Sequence, residues 1–260
     1  MAFDSMTLEK RQYVIMHSKI KTIGLLFLLY WRGTAQVASS AINIFVVNTT
    51  SDIDDGTCDL ANCSLREAIN AANTIPNDSA GPDEIHFNIA GGGVQIIQPT
   101  TELPTITKSV VIDGYTQPGS SPNTLAVGND AVLLIALDGT LATSGTTHGI
   151  LISHFATNTV RGLVIGNFSG YGIFQSIGSN NIFTGNFIGV DPMGTVAAPN
   201  GFFGIFSATV SGSFNRVGGP APADRNVISG NMFDGLAIGG NGTVQGNYIG
   251  TNAAGTMAIP

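Results

Sequence analysis

Three aspartates near the start of the chain are the first residues whose types and spacing suggest chemistry. Asp52, Asp54 and Asp55 precede Gly56. Carboxylates alternating along a turn can point at one hard cation, and calcium takes about six to eight oxygen ligands. The three are therefore candidate calcium ligands, although the segment lacks the bidentate Glu that closes an EF-hand loop. The plainer alternative is a solvated acidic turn that caps backbone N–H groups. Just beyond it, Cys58 and Cys63 lie five positions apart. In an oxidising compartment such a pair can form a local disulfide clip, whose stabilisation is modest because the loop is short. Two thiolates with no His or third Cys nearby do not complete a tetrahedral metal site.

Elsewhere reactive side chains are sparse. Residues 91–260 carry seven acids (Glu102, Asp113, Asp130, Asp138, Asp191, Asp224, Asp234) and four bases (Lys108, Arg161, Arg216, Arg225). No acid in this stretch lies within three residues of another. A glycosidase needs two carboxylates facing each other across its substrate. A lyase of the pectate type needs a base together with cation-binding acids. Asp113-Gly114 and Asp138-Gly139 each end an apolar run and read as turns. Asp224 and Arg225 read as an exposed ion pair worth little. His86 alternates with apolar neighbours, and His148 and His154 flank Gly149–Ser153. No local Ser-His-Asp or Cys-His motif is present, although such triads assemble in space rather than in sequence. Tyr171, Phe202, Phe203, Phe233 and Tyr248 could stack on sugar faces, while most phenylalanines are expected in the core. No catalytic residue is assigned.

The elements that must position these groups follow from composition. Only 10% of the 260 residues are charged, the net charge is −7, and 34 residues are glycine. With 43% hydrophobic residues, this is not a disordered composition, which needs high charge and few apolar groups. Half of the ten Lys and Arg residues sit in the first 32 positions. No basic patch is left for a nucleic-acid partner. Short Ile/Val/Phe runs between Gly, Asn, Thr and Ser predict many short strands joined by tight turns.

Three regions emerge. In residues 1–40, Lys19 and Lys21 precede a ten-residue apolar run, Thr22 to Trp31, followed by Ala35, Ala38, Ser39, Ser40 and Ala41. The run is too short to span a bilayer, which takes about 20 residues. The pattern is that of a secretory signal peptide, cleaved near Ser40 or Ala41, with Met16 as an alternative start. It implies an exported, extracellular or cell-surface protein with no transmembrane span in its mature part. Residues 41–80 hold a strand from Ile42 to Val47, the acidic turn and one helix, Ser64 to Asn73. Ser64 and Glu67 form a capping box. Leu65, Ala68, Ile69 and Ala72 form an apolar stripe, and Pro76 ends the helix.

Residues 81–260 are repetitive. The segment Gly185 to Pro199 returns 61 residues later as Gly246 to Pro260, with eight of 15 positions identical. A shorter unit, Asn-x-(Val/Ile)-x-Gly-Asn, spans Asn181 to Asn186 and Asn226 to Asn231. A third, Gly-(Ile/Leu), begins at Gly149, Gly172, Gly204 and Gly235, spaced 23, 32 and 31 residues apart. A step of about two dozen residues fits one turn of a three-strand coil, with longer steps holding side loops at 191–200 and 220–225. The predicted fold is all-β: a right-handed parallel β-helix with the N-terminal helix as its cap. Gly and Asn at the corners would tolerate left-handed backbone, and stacked Asn residues would form hydrogen-bonded ladders. Pro260 falls where the earlier copy of the repeat continues, so the sequence reads as stopping in mid-repeat. The last coil is then free for edge-to-edge self-association.

Asp54 to Asn70, and within it Cys63-Ser-Leu-Arg-Glu-Ala68, resembles the signature of bacterial CSLREA-domain proteins. The repeats at Arg225 to Asn231 and Gly246 to Thr251 are similar to those that accompany that domain. The resemblance covers most of residues 42–260. It implies an exported, adhesin-like or polymorphic outer-membrane-like protein built on a right-handed parallel β-helix, and it implies no particular activity. The expected function is a structural or binding stalk without catalysis, with a surface glycan, a polysaccharide or a host or cell-surface protein as partner. The alternative is a polysaccharide lyase or glycoside hydrolase, which rests on the analogy between β-helix folds.

Overall fold

The computed structural model describes residues 42–77, 80–154, 157–208 and 214–260. The expected signal peptide at 1–40 lies outside these residues. The described chain is mostly short strands, numbered here in chain order, and every strand pairing within its three sheets is parallel. The first sheet contains β1 (Ile44–Val47), β2 (Asp83–Phe87), β4 (Val110–Asp113), β7 (Thr159–Arg161), β10 (Ile182–Thr184), β13 (Arg216–Gly218) and β16 (Thr243–Gln245), in that order. The second contains β3 (Gln95–Ile97), β5 (Ile135–Asp138), β8 (Leu163–Gly166), β11 (Phe187–Ile188), β14 (Val227–Ile228) and β17 (Tyr248–Ile249). The third contains β6 (Ile150–Ser153), β9 (Ile173–Ile177), β12 (Ile205–Ser207) and β15 (Leu236–Ile238). From β4 onward the chain visits the first, second and third sheets in a fixed cyclic order, and we call one such circuit a pass.

Alternation within each strand sends every second side chain to a shared core. Ile85, Ile112, Val160, Phe183 and Val217 align in register along the first sheet. Ile97, Leu137, Ile165, Ile188 and Ile228 align along the second. Ile150, Ile173 and Ile205 align along the third. All are buried in one hydrophobic cluster. A second, smaller cluster lies on the other face of the second sheet, where Val164, Phe187 and Val227 meet Val190, Ala253 and Ile259. The loops that cover it belong to the two copies of the 15-residue segment that recurs after 61 residues. Val190 bridges Ala197 in one copy and Thr251 bridges Ala258 in the other, and Ala253 N–H donates to Gly194 O at 2.8 Å, one loop on the next.

Helix α1 (Leu65–Thr74) carries the expected capping box: Ser64 Oγ accepts the Glu67 N–H and Glu67 Oε2 accepts the Ser64 N–H. Its stripe of Leu65, Ala68, Ile69 and Ala72 joins the shared core beside β1 and β2. Arg66 donates to the carbonyls of Thr101 and Glu102, and Asn73 to that of Thr105. These contacts hold the segment whose Ile106 bridges Ile152 on β6. The helix therefore covers the end of the core where β1 and Ile106 form sheet edges. Among the described residues no helix is long and apolar enough to cross a membrane.

Corners between strands are closed by asparagine. Before the first sheet, Asn158 Oδ1 accepts the Val110 N–H, Asn181 Oδ1 that of Asn158, and Asn215 Oδ1 that of Asn181. Before the second, Asn186 accepts from Leu163, Asn226 from Asn186 and Asn247 from Asn226. At the remaining corner, Asn200 accepts from Phe168 and Asn231 from Asn200. The amide nitrogens donate back, Asn186 to Val160 O, Asn226 to Phe183 O and Asn200 to Ile165 O. Each carboxamide thus satisfies backbone groups of the preceding pass, which a turning chain would otherwise leave buried and unpaired. The expectation that corner asparagines adopt left-handed backbone needs correcting. Among the described residues only Asn167 and Asn180 do so, and neither belongs to a ladder. The ladder residues serve as hydrogen-bonding groups.

Asn186→Ala should therefore strand the buried Leu163 N–H and Val160 C=O and destabilise by about 2–4 kcal/mol, read from urea denaturation. Asn241→Ala, at an exposed turn, should stay within about 0.5 kcal/mol. A loss at Asn186 below about 1 kcal/mol would show that the ladder is not what holds the corners.

Candidate functional site

The three candidate calcium ligands are near one another in sequence, but each is bound separately. Asp52 pairs with Arg66 at 2.9 Å and accepts from the N–H and hydroxyl of Thr100. Asp54 accepts from Gly56 N–H and from Asn70 Nδ2. Asp55 accepts from Thr57 through N–H and hydroxyl, and those bonds hold its carboxyl below the ordinary value. Asp55 N–H donates to Glu67 Oε1, so the capping glutamate also ties the acidic turn to α1. Among the described residues no group of three or more His, Cys, Asp or Glu side chains converges to hold a metal ion. The local clip is present as a Cys58–Cys63 disulfide, with Cys63 buried in the core. Asp54, Cys58, Asp59, Glu67 and Asn70 line a cleft of about 620 Å³ between the clip and α1.

The most coherent surface is aromatic and lies along the third sheet. Its registration comes from the Gly-Ile unit. Ile150, Ile173, Ile205 and Leu236 are cross-strand partners, so the four preceding glycines form one column. That column requires glycine. A Cβ on Gly149 would stand 2.5 Å from Gly172 O, one on Gly172 2.6 Å from Gly204 O, and one on Gly204 2.7 Å from Gly235 O. One residue before these glycines come His148, Tyr171, Phe203 and Asp234. Two before come Thr147, Gly170, Phe202 and Phe233, and two after come Leu151, Phe174, Phe206 and Ala237. Three outward columns thus bring six aromatic rings and one imidazole together.

The rings contact one another across passes. Tyr171 and Phe202 centroids are 5.3 Å apart at 27°, and Phe202 and Phe233 are 5.5 Å apart at 14°. Tyr171 also meets Phe174 at 4.8 Å and Phe206 at 5.3 Å. Stacked rings at about this separation are worth about 0.5–1.5 kcal/mol per pair beyond area burial. Exposure rises along the row, reaching 37% at Phe202 and 62% at Phe233. The stacking covers ring faces within the row, and Phe202 and Phe233 remain its most exposed rings.

His148 anchors the row's other end. Its Nδ1 accepts the Tyr171 N–H at 3.0 Å, and its Nε2 lies 3.8 Å from Glu102 Oε1. Burial pushes the imidazole below its ordinary value, against the opposing pull of Glu102. The geometry agrees, because a protonated Nδ1 could not accept from Tyr171.

The remaining candidates are placed elsewhere. Tyr248 lies apart from the aromatic row, under the Arg225 guanidinium at 4.7 Å, and its hydroxyl accepts the Gly128 N–H. Arg225 does not pair with Asp224 as expected. It donates to the carbonyls of Leu125, Ala126, Gly128 and Gly246, clamping a loop, while Asp224 pairs with Arg216 at 3.4 Å. Asp113 pairs with Arg161 at 2.6 Å and caps a turn through Tyr115 N–H. His86 bonds Glu84 at 2.6 Å. Asp138 and Asp191 share a cleft of about 170 Å³ with Asn167. Burial works to raise the Asp138 pKa, but bonds from Thr140, Asn167 and Gln98 outweigh it and hold the carboxyl below the ordinary value. Asp191 accepts the backbone N–H groups of Thr195 and Val196.

Sequence reasoning singled out Tyr171, Phe202, Phe203 and Phe233 but missed Phe174, Phe206 and His148 as their neighbours. Counting outward from the Gly-Ile unit would have found all three. Comparison with known proteins adds no further assignment: no protein-family model matches the chain, and no curated protein matches it significantly.

Two outcomes follow. His148 has a folded-state pKa below its ordinary 6.5. Its contribution to stability is therefore complete above that value and is lost as pH falls through the folded-state pKa. His148→Gln should remove this share of the acid slope and leave that of His154, which burial and then Lys108 also push down. An unchanged slope would show that the fold does not hold His148 below its ordinary value. Reducing Cys58–Cys63 should lower stability by about 2 kcal/mol, as expected for so short a loop, without unfolding the sheets. Loss of the far-ultraviolet strand signal on reduction would contradict this.

Proposed function

We propose that the chain is an exported, adhesin-like binding stalk: a right-handed parallel β-helix capped by α1, which presents its aromatic row to a partner at a cell or matrix surface. The single observation behind this reading is the outward row Tyr171–Phe202–Phe233 with Phe203, Phe174 and Phe206 beside it. Contiguous exposed apolar surface on a protein is unusual and marks interaction sites, and aromatic residues dominate the energetics of such contacts. The fixed cyclic order of the three parallel sheets and their common core support the β-helix form. The Cys63–Ala68 motif, with its intact capping box, supports kinship with CSLREA-domain proteins. Export is supported by the apolar run and small residues of 1–40 and by the disulfide.

A protein partner fits the row better than a glycan. Sugars pack on open ring faces, whereas the rings of this row stack largely on one another. Row edges and the exposed Met232 form an apolar strip suited to side chains of another protein. The test is binding of the chain to panels of purified cell-surface and matrix proteins and of glycans, with calcium present. Phe202→Ser and Phe233→Ser should each weaken retention on a protein partner about tenfold, matching hot-spot truncation. Binding that tolerates both changes would discard the row as the binding face. Polysaccharide turnover lost on removing one carboxylate would replace the stalk reading with the lyase or hydrolase one.

A further inference from the structure

Asp83, which opens β2, stands where later passes carry asparagine. Before the first sheet, Asn158 gives both its N–H and its Nδ2 to Asn181 Oδ1, and Asn181 gives the same two groups to Asn215 Oδ1. One position back from the Ile44–Glu84 pair, Asn43 gives its N–H and Nδ2 to Asp83 Oδ1, at 3.4 and 2.8 Å. An asparagine would serve those two bonds equally well. The carboxylate instead brings a second acceptor, Oδ2, which is buried and has no hydrogen-bond partner, on a residue only 1% exposed. None of the ion pairs among the described residues includes Asp83. A buried carboxylate is costly unless a cation or donors meet it.

The group placed to meet it is the nitrogen of Ile42. A Cβ on Gly81, two residues before Asp83, would stand 4.0 Å from Ile42 Cδ1, so Ile42 lies beside the chain that leads into β2. Ile42 is bonded to Asn43, and one residue spans about 3.8 Å between Cα atoms. Rotation about the Ile42 backbone therefore brings its nitrogen within reach of Oδ2. Inside an uncut chain that nitrogen is an uncharged amide with one hydrogen. At a chain terminus it is an ammonium with three.

We infer that signal-peptide removal cuts the Ala41–Ile42 bond, and that the Ile42 ammonium so released pairs with Asp83 Oδ2 and locks β1 to β2. The inference rests on the export reading above. A cut at that bond puts the small residues Ser39 and Ala41 third and first before it, as leader cleavage favours. Hydrolysis consumes one water: the Ala41 carbonyl leaves as a carboxylate on the leader, and Ile42 keeps the nitrogen, protonated at neutral pH. The ammonium supplies Oδ2 with a donor and with the opposite charge. Processing and stability are thereby coupled, because the uncut chain buries an unpaired carboxylate and the cut chain does not.

The test compares the uncut 260-residue chain, made without export, with the product exported from the same gene, both with Cys58–Cys63 oxidised. Terminal sequencing of the exported product should read Ile42-Asn-Ile-Phe45. Asp83→Asn should act with opposite sign in the two forms. In the uncut chain it removes an orphan oxygen, so Tm should hold or rise. In the cut chain it removes the partner of a buried ammonium, and Tm should fall by about 5 °C or more. Pairing raises the Ile42 amine above its ordinary value of about 7.7–8.0. The stabilisation is then complete below that value and is lost as pH rises through the raised one. Acetic anhydride should also modify this amine more slowly in the folded wild-type protein than in urea, since each unit of raised pKa leaves about tenfold less free amine. An uncut exported product would overturn the export reading itself, and a cut at another bond would overturn the assigned site. A cut at Ile42 with equal acetylation in both states, or with Asp83→Asn acting alike in both forms, would overturn the ion pair and leave export standing.

Discussion

A chain that turns sharply three times in each pass leaves N–H and C=O groups at every corner that strand pairing cannot reach. Buried and unpaired, each such group costs about 1–3 kcal/mol, so the corners decide whether passes can stack at all. The asparagine carboxamide meets the demand with one acceptor and two donors on a short stem. Asn186 shows the arrangement in full: its oxygen takes Leu163 N–H, its nitrogen gives to Val160 O, and its own N–H passes to Asn226. With the corners held in this way, strand register is held too. The inward isoleucine columns and the outward aromatic columns are both consequences of that register.

The register also explains how one surface collects so many rings. A residue chosen at one offset from the Gly-Ile unit meets the same offset in the next pass, so short local preferences add up to a long feature. His148 and Asp234 occupy the ends of the column that holds Tyr171 and Phe203. That column is therefore bounded by polar groups, and its base is tied to the fold by a histidine whose Nδ1 accepts from Tyr171.

Repeats that recur once per pass were readable in the sequence, and those that mark corners were readable only in part. The glycines at 149, 172, 204 and 235 fall in one column as their spacing implied. The Asn-x-(Val/Ile)-x-Gly-Asn unit misled, because 181–186 spans a strand of the first sheet and 226–231 a strand of the second. Every corner poses the same backbone problem and selects the same residue, so the unit reports a corner without saying which. The helix was legible to within one residue because its cap and stripe are local. The acidic turn was legible as a cap for backbone N–H groups, which Asp54 and Asp55 provide, but not in its ties to Arg66, Thr100, Asn70 and Glu67, which come from elsewhere in the chain.

The 61-residue repeat has a meaning beyond the loops it forms. The 15-residue segment starts before β11 and again before β17, with β14 between them in the same sheet, so the 61-residue spacing of its copies is two whole passes. Strands pair only between neighbouring passes, although the loop at 125–128 reaches further, to Arg225 and Tyr248; inserting whole passes keeps every strand in its own sheet. A fractional insertion would put corner residues in strands and strand residues at corners. Only a shift by a whole number of circuits keeps strand residues in strands, and the 61-residue spacing of the two copies satisfies that. Length can thus change in steps of whole circuits while every strand and corner keeps its place.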